Sequence, residues 1–235
     1  GQGGPDHLSG GAPPATQLWS SIDTLAKYDI VLLGCEGAEH DGEHGNKTPA
    51  AKEAMREFTA RGGRIFATHY QSAWVKNNPQ DDFKGVATWR EGSSTAAYGT
   101  NLAIKIDTSF PKGEALSTWL DAVAGSSDAG MGAILADNVA ASIESVSPNA
   151  TRWLYRDDDR PGVTFMSFNT PVGAPADKQC GRAVISDLHY GEELTTAKPP
   201  QCAGQITPAG MALEFLLFDL SACVQPDSET PRAPK

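Results

Sequence analysis

Two short apolar runs, "YDIVLLGC" (28–35) and "GRIFATH" (63–69), flank one helical pattern and constrain the fold more than any other feature. Both carry β-branched residues and little polarity, the pattern of strands covered on both faces. Between them, "TPAAKEAMREFTARGG" places Thr48 as an N-cap, Pro49 at the first helical position, apolar Ala54, Met55 and Phe58 on one face, and a stop at Gly62. Strand, helix, strand at this spacing is a βαβ unit with a right-handed crossover. The two strands are expected to be parallel neighbours.

The remaining chain extends the same architecture. "LAIKIDTSF" (102–110) reads as a strand and "GEALSTWLDAV" (113–123) as a helix. "TRWLYR", "GVTFMSFN" and "GRAVISDLHY" read as three further strands, the first two joined in a hairpin by the acidic turn "DDDRPG". From Thr207, "TPAGMALEFLLFDLSAC" is a helix with an apolar face at Met211, Leu213, Phe215, Leu216 and Phe218. No internal repeat interrupts the series. At 235 residues and 40% hydrophobic content, one α/β domain over 1–223 is expected. The Pro-rich end, 224–235, reads as a flexible tail or linker.

Charge narrows the partners. A formal net charge of −10 with no Lys/Arg cluster argues against nucleic acid or an anionic membrane surface. No run approaches the ~20 apolar residues that cross a bilayer. Small-molecule or carbohydrate ligands and metal ions fit this field better, and the tryptophans at 74, 89, 119 and 153 can stack on sugars or fill the core. "NKT" at Asn46 and "NAT" at Asn149 are glycosylation sequons in a secretory context. No Gly-rich dinucleotide fingerprint follows a strand.

Four cysteines admit four free thiols or two disulfides, and topology suggests which. Cys35 ends the first strand and Cys202 lies in the loop leaving the last strand, so both sit at the sheet's carboxyl edge. Cys180 precedes that strand and Cys223 ends the closing helix, so both sit at the opposite edge. The expected pairs are Cys35 with Cys202 and Cys180 with Cys223. Two such bridges imply an oxidising compartment, extracellular or periplasmic.

In open α/β sheets ligands bind beyond the carboxyl ends of the strands. There the sequence places Glu36, Glu39, His40, Asp41, Glu43 and His44 after the first strand, His69, Tyr70 and Gln71 after the second, and Asp187, His189, Tyr190, Glu192 and Glu193 after the last. Four of the five histidines fall at this one edge. A divalent ion such as zinc can be held by His40, His44, His69 and His189 and activate water. Alternatively, His69 and His189 with Glu36 can act as acid and base without metal. A thiol nucleophile at Cys35 requires that residue to be free, which the expected disulfide excludes. The plainer readings are a solvated loop over 39–47 and structural histidines bonded to backbone carbonyls.

"GGRIFATHYQSAW" resembles the strand-turn-helix elbow of the class I glutamine amidotransferase-like superfamily. Histidine at the elbow, His69, is similar to its trehalose-utilisation (ThuA-like) branch. "YDIVLLGCEG" and "GRAVISDLHYG" resemble that branch's neighbouring and last strands, so the likeness spans 16–77 and 151–223. The resemblance implies a flavodoxin-like three-layer sandwich with a mostly parallel sheet, whose first strand is missing from this chain and supplied by an upstream segment of the same precursor. Because the elbow lacks cysteine, glutamine amidotransfer is not expected.

The expected function is a hydrolase acting on a small or carbohydrate-like substrate at the carboxyl edge. The alternative is a non-catalytic ligand-binding or cell-surface module within a larger multidomain protein.

Overall fold

A computed structural model describes residues 14–41, 46–91, 99–124, 132–188 and 206–230. In chain order they form α1 (Ile22–Leu25), β1 (Ile30–Leu33), α2 (Pro49–Ala60), β2 (Arg64–Thr68), α3 (Ala73–Lys76), α4 (Asp81–Lys84) and β3 (Ala87–Trp89). There follow β4 (Leu102–Ile106), α5 (Pro111–Ala124), β5 (Ala133–Ala136), β6 (Ile143–Val146), β7 (Thr151–Arg156), β8 (Gly162–Thr170), β9 (Gly181–Ser186) and α6 (Pro208–Ser221). No described helix is long and apolar enough to cross a membrane.

The βαβ unit forms as its sequence dictates. The Thr48 hydroxyl accepts a hydrogen bond from the Ala51 N–H at 3.2 Å, satisfying one orphan donor of the first turn. Gly62, at φ +107°, turns the chain out of α2, a conformation that strains any side chain. β1 and β2 then pair in parallel, with Leu33 opposite Ala67.

Nine strands share one sheet, ordered β1-β2-β9-β8-β7-β4-β5, with β6 joined to β8 and β3 to β6. Among the described strands only β1/β2 and β2/β9 are parallel; every other pairing is antiparallel. The expectation of a mostly parallel sheet is corrected accordingly. The cause is local: the "DDDRPG" turn joining β7 to β8 and the short connection from β8 to β9 are too brief for a crossover and can link only antiparallel strands.

Helices cover both faces. Ile65, Ala67, Ala183 and Ile185 face Met55 and Phe58 of α2. The alternate residues Phe66 and Val184 face Leu216 and Leu220 of α6, with Trp153 and Phe165. This period-two split of β2 and β9 between two cores makes a helix-sheet-helix sandwich. Among the described residues β1 pairs on one side only, and its Leu32 is exposed.

The two expected disulfides are absent: Cys35, Cys180 and Cys223 are free thiols, and Cys202 lies outside the described residues. The Cys180 thiol turns to the α2 side and donates to the Ala60 carbonyl at 3.5 Å, whereas Cys223 follows α6 on the other face. With the bridges goes the argument they supplied for an oxidising compartment.

The segment from 224 is not a loose tail over its described part. Asp227 is buried and takes hydrogen bonds from Arg182 at 2.8 Å and Ser167 at 3.0 Å. Lys112 and Asp219 complete the cluster, with Lys112 Nζ 2.7 Å from Asp219 and 3.1 Å from Asp227. Arg182, fully buried, keeps its charge: burial opposes it, and the carboxylates of Asp227 and Asp219 outweigh burial. Residues 231–235 lie outside the described residues.

Candidate active site

The three parallel strands end together. Register places Thr68 opposite Ser186 and Ala67 opposite Leu33, so the residues that follow, Cys35, His69 and Asp187, emerge side by side at the carboxyl edge. The Cys35 sulfur lies 3.5 Å from His69 Nδ1, within hydrogen-bonding reach for sulfur. The Gly37 N–H also donates to that sulfur, at 3.4 Å. Gly37 has φ +79°, a backbone state in which glycine alone is unstrained.

Braces from β2 and the turn that follows it fix this geometry. The Thr68 hydroxyl donates to the Leu33 carbonyl at 3.3 Å, and the Gln71 amide donates to the Gly34 carbonyl at 2.9 Å. Gln71 is itself held by the buried Trp74 indole N–H at 2.9 Å. His69 has φ +46°, unusual for a side-chain-bearing residue and costing about 1–3 kcal/mol. Packing maintains it: His69 is buried and its ring lies 3.8 Å, centroid to centroid, from Tyr70. Cys35, by contrast, is exposed, so an incoming molecule meets the sulfur and not the imidazole.

Asp187 lies close enough to the imidazole for the two to interact electrostatically. Burial pushes its carboxyl up to about 6, against the Ser142 N–H and the His69 ring, both of which favour the ionised form. The Ser142 N–H donates to Oδ2 at 2.6 Å, and Oδ1 is buried with no hydrogen-bond partner among the described residues. A buried, half-satisfied carboxylate is costly unless a cation forms nearby. An imidazolium at His69 would be that cation.

Over its described residues, the acidic loop after Cys35 is held by lysines and is not a solvated run. Glu36 pairs with the buried Lys47 at 2.8 Å, Glu39 with Lys76 at 2.9 Å and Asp41 with Lys52 at 2.5 Å. Asn77 bridges Glu39 and Asp41, and Lys47 also donates to the Glu39 carbonyl at 2.7 Å. Although burial raises the Glu36 pKa, the Lys47 ammonium and Gln71 hold it at about 2. These three lysines supply in place the positive charge a divalent ion would bring, and they pin the loop that carries Cys35.

Of the expected site residues, His69 is central, while His189 and His44 lie outside the described residues. His40 bonds the Glu36 carbonyl through Nε2 at 3.3 Å, as a structural histidine does. Glu36 is engaged by Lys47. No group of three or more His, Cys, Asp or Glu among the described residues is placed to hold a metal. Cys35 was set aside only because of its expected disulfide, and Asp187 stood in the edge inventory without a role. The three lysines carried no signal in the sequence.

A cavity of about 420 Å³ adjoins Cys35, between the ends of β1 and β2 and the flank of α6.

An exposed thiol, a buried imidazole and a buried carboxylate are thus gathered at one strand edge of an α/β fold. No family model matches the sequence, and no curated protein matches it. Among solved structures, the mmIFT52 N-terminal domain is similar at 8% identity and a TM-score of 0.52, over 86% of this chain and 80% of that one. A cytoplasmic protein from Salmonella typhimurium overlays at 13% identity and a TM-score of 0.49, over 91% and 80%. A protein described as thua-like from Bacteroides uniformis overlays at 9% identity and a TM-score of 0.49, over 90% and 78%. Such likeness is one of fold, and function is argued from this chain's own residues.

Proposed function

We propose that the chain is a hydrolase of the acyl-transfer type, with Cys35 as nucleophile, His69 as general base and then acid, and Asp187 as the group that stabilises the imidazolium. The observation that carries this reading is the 3.5 Å approach of the Cys35 sulfur to His69 Nδ1 at an exposed strand end. His69 takes the thiol proton as the sulfur attacks an acyl carbon, and returns it to the departing alcohol, amine or thiol. A thioester at Cys35 remains. Water, deprotonated by His69, then cleaves it to the free acid and the thiol. Gly37 stabilises the sulfur before attack, and ionised Asp187 lowers the cost of charging the ring. Metal activation and a histidine pair with His189 are weaker readings, because the loop carboxylates already have lysine partners.

The test is single-turnover kinetics with an activated ester. A burst of leaving group, with mass added at Cys35, is the expected result, and Cys35→Ser and His69→Asn each lower the acylation rate by ~10²-fold or more. A burst that persists in Cys35→Ser would refute the assignment. A non-catalytic ligand-binding module is the second reading, favoured by the apolar cavity itself. It predicts ligand binding with no acyl-enzyme.

A further inference from the structure

The cavity beside Cys35 says what kind of acyl group the site accepts, an inference that rests on the thiol-hydrolase reading. Its wall is built by Leu32 and Leu33 of β1, Phe66 of β2, Leu188 after β9, and Leu213 and Leu217 of α6. Cys35 and Thr68 are part of the same lining, and among the described residues no charged side chain is. The thiol therefore opens onto an apolar space.

A hydroxyl-rich sugar placed there would lose its water without gaining partners, at a cost for every unpaired hydroxyl. A carboxylate or ammonium would fare worse. A hydrocarbon chain gains from the same burial. The volume, about 420 Å³, is at the small end of ligand pockets, which favours a medium-length chain or an aryl group over a long lipid. The geometry points to neutral esters or thioesters of medium-chain or aryl carboxylic acids as the substrate class, with Leu217 limiting the chain length. Of the tryptophans that could stack on a sugar, Trp74 and Trp153 are wholly buried in the core.

The experiment compares p-nitrophenyl acetate, butyrate, hexanoate and octanoate on wild type and Leu217→Trp. In wild type kcat/KM should climb by about fourfold per methylene until the cavity fills, the factor that burial of one methylene carries. In Leu217→Trp the octanoate-to-acetate ratio should collapse toward one. The ratio is insensitive to any loss of folded protein. A flat wild-type series, or a ratio that Leu217→Trp leaves alone, overturns the inference while leaving the thiol mechanism standing.

If no ester turns over through Cys35, the hydrolase reading fails and the cavity is still tested by calorimetry with neutral octanamide. Binding that Leu217→Trp abolishes supports an apolar-chain site. No binding to wild type overturns it.

Discussion

At the residue scale, the site is a problem in proton placement. Asp187 titrates near 6 in the fold, against an ordinary value of 3.8. Between those values the folded protein holds a proton that the unfolded chain releases, so this group's contribution to stability is full below about 4 and is lost as pH rises through about 6. Urea titrations at a series of pH values should show that decline in wild type and not in Asp187→Asn. Activity should run the other way, with kcat/KM rising through an apparent pKa near 6 as the His69–Asp187 pair acquires its carboxylate, and with that limb missing in Asp187→Asn. Glu36 behaves oppositely: its pKa near 2 in the fold means its contribution is present above 4.5 and is lost as pH falls toward 2. Glu36→Gln should flatten the acid limb of the stability profile. Cys35 and His69 were legible in sequence as strand-end residues, because an apolar run ending in a polar side chain announces its own position. Their pairing was not legible, because it depends on whether a distant cysteine competes for the same sulfur.

At the element scale, the unit β1-α2-β2 was readable because several local signals agree there: cap, proline, apolar spacing and glycine stop. Thr48→Ala should cost about 1 kcal/mol in urea-derived stability, the usual worth of such a cap. An unchanged midpoint would show that tertiary packing alone holds that helix end. β3, β5 and β6 were not readable. They run three or four residues each, too short for a period-two pattern to stand out, and β3 pairs only with β6, more than 50 residues away, among the described strands. The loop after Cys35 was misread for a related reason. Its acidic residues look solvated until the fold brings Lys47, just before α2, Lys52 of α2 and Lys76 of α3 under them.

At the scale of the whole molecule, the C-terminal segment closes the fold. Arg182 sits inside the sheet between Asp219 and Asp227, and removing one member of such a cluster strands a buried charge. Asp227→Ala should destabilise by about 3–5 kcal/mol, read as a fall in urea midpoint with little change in slope. A loss under about 1 kcal/mol would mean that the segment from 224 is an appendage after all. Mixed strand direction could not be read from the apolar pattern, since a buried strand looks the same whichever way its neighbour runs. What the sequence did convey is the edge: β1, β2 and β9 are the three parallel strands, and the candidate chemistry lies where they end.

The most direct test of that chemistry is the rate of iodoacetamide alkylation, resolved cysteine by cysteine, from pH 5 to 9. Cys180 and Cys223 are exposed thiols in the same molecule and serve as internal standards. The Cys35–His69 pair predicts a Cys35 rate that exceeds both at pH 6 by ~10-fold or more and falls to theirs in His69→Asn. A Cys35 rate that follows the same pH curve as Cys180 and Cys223, and ignores the loss of His69, would contradict it.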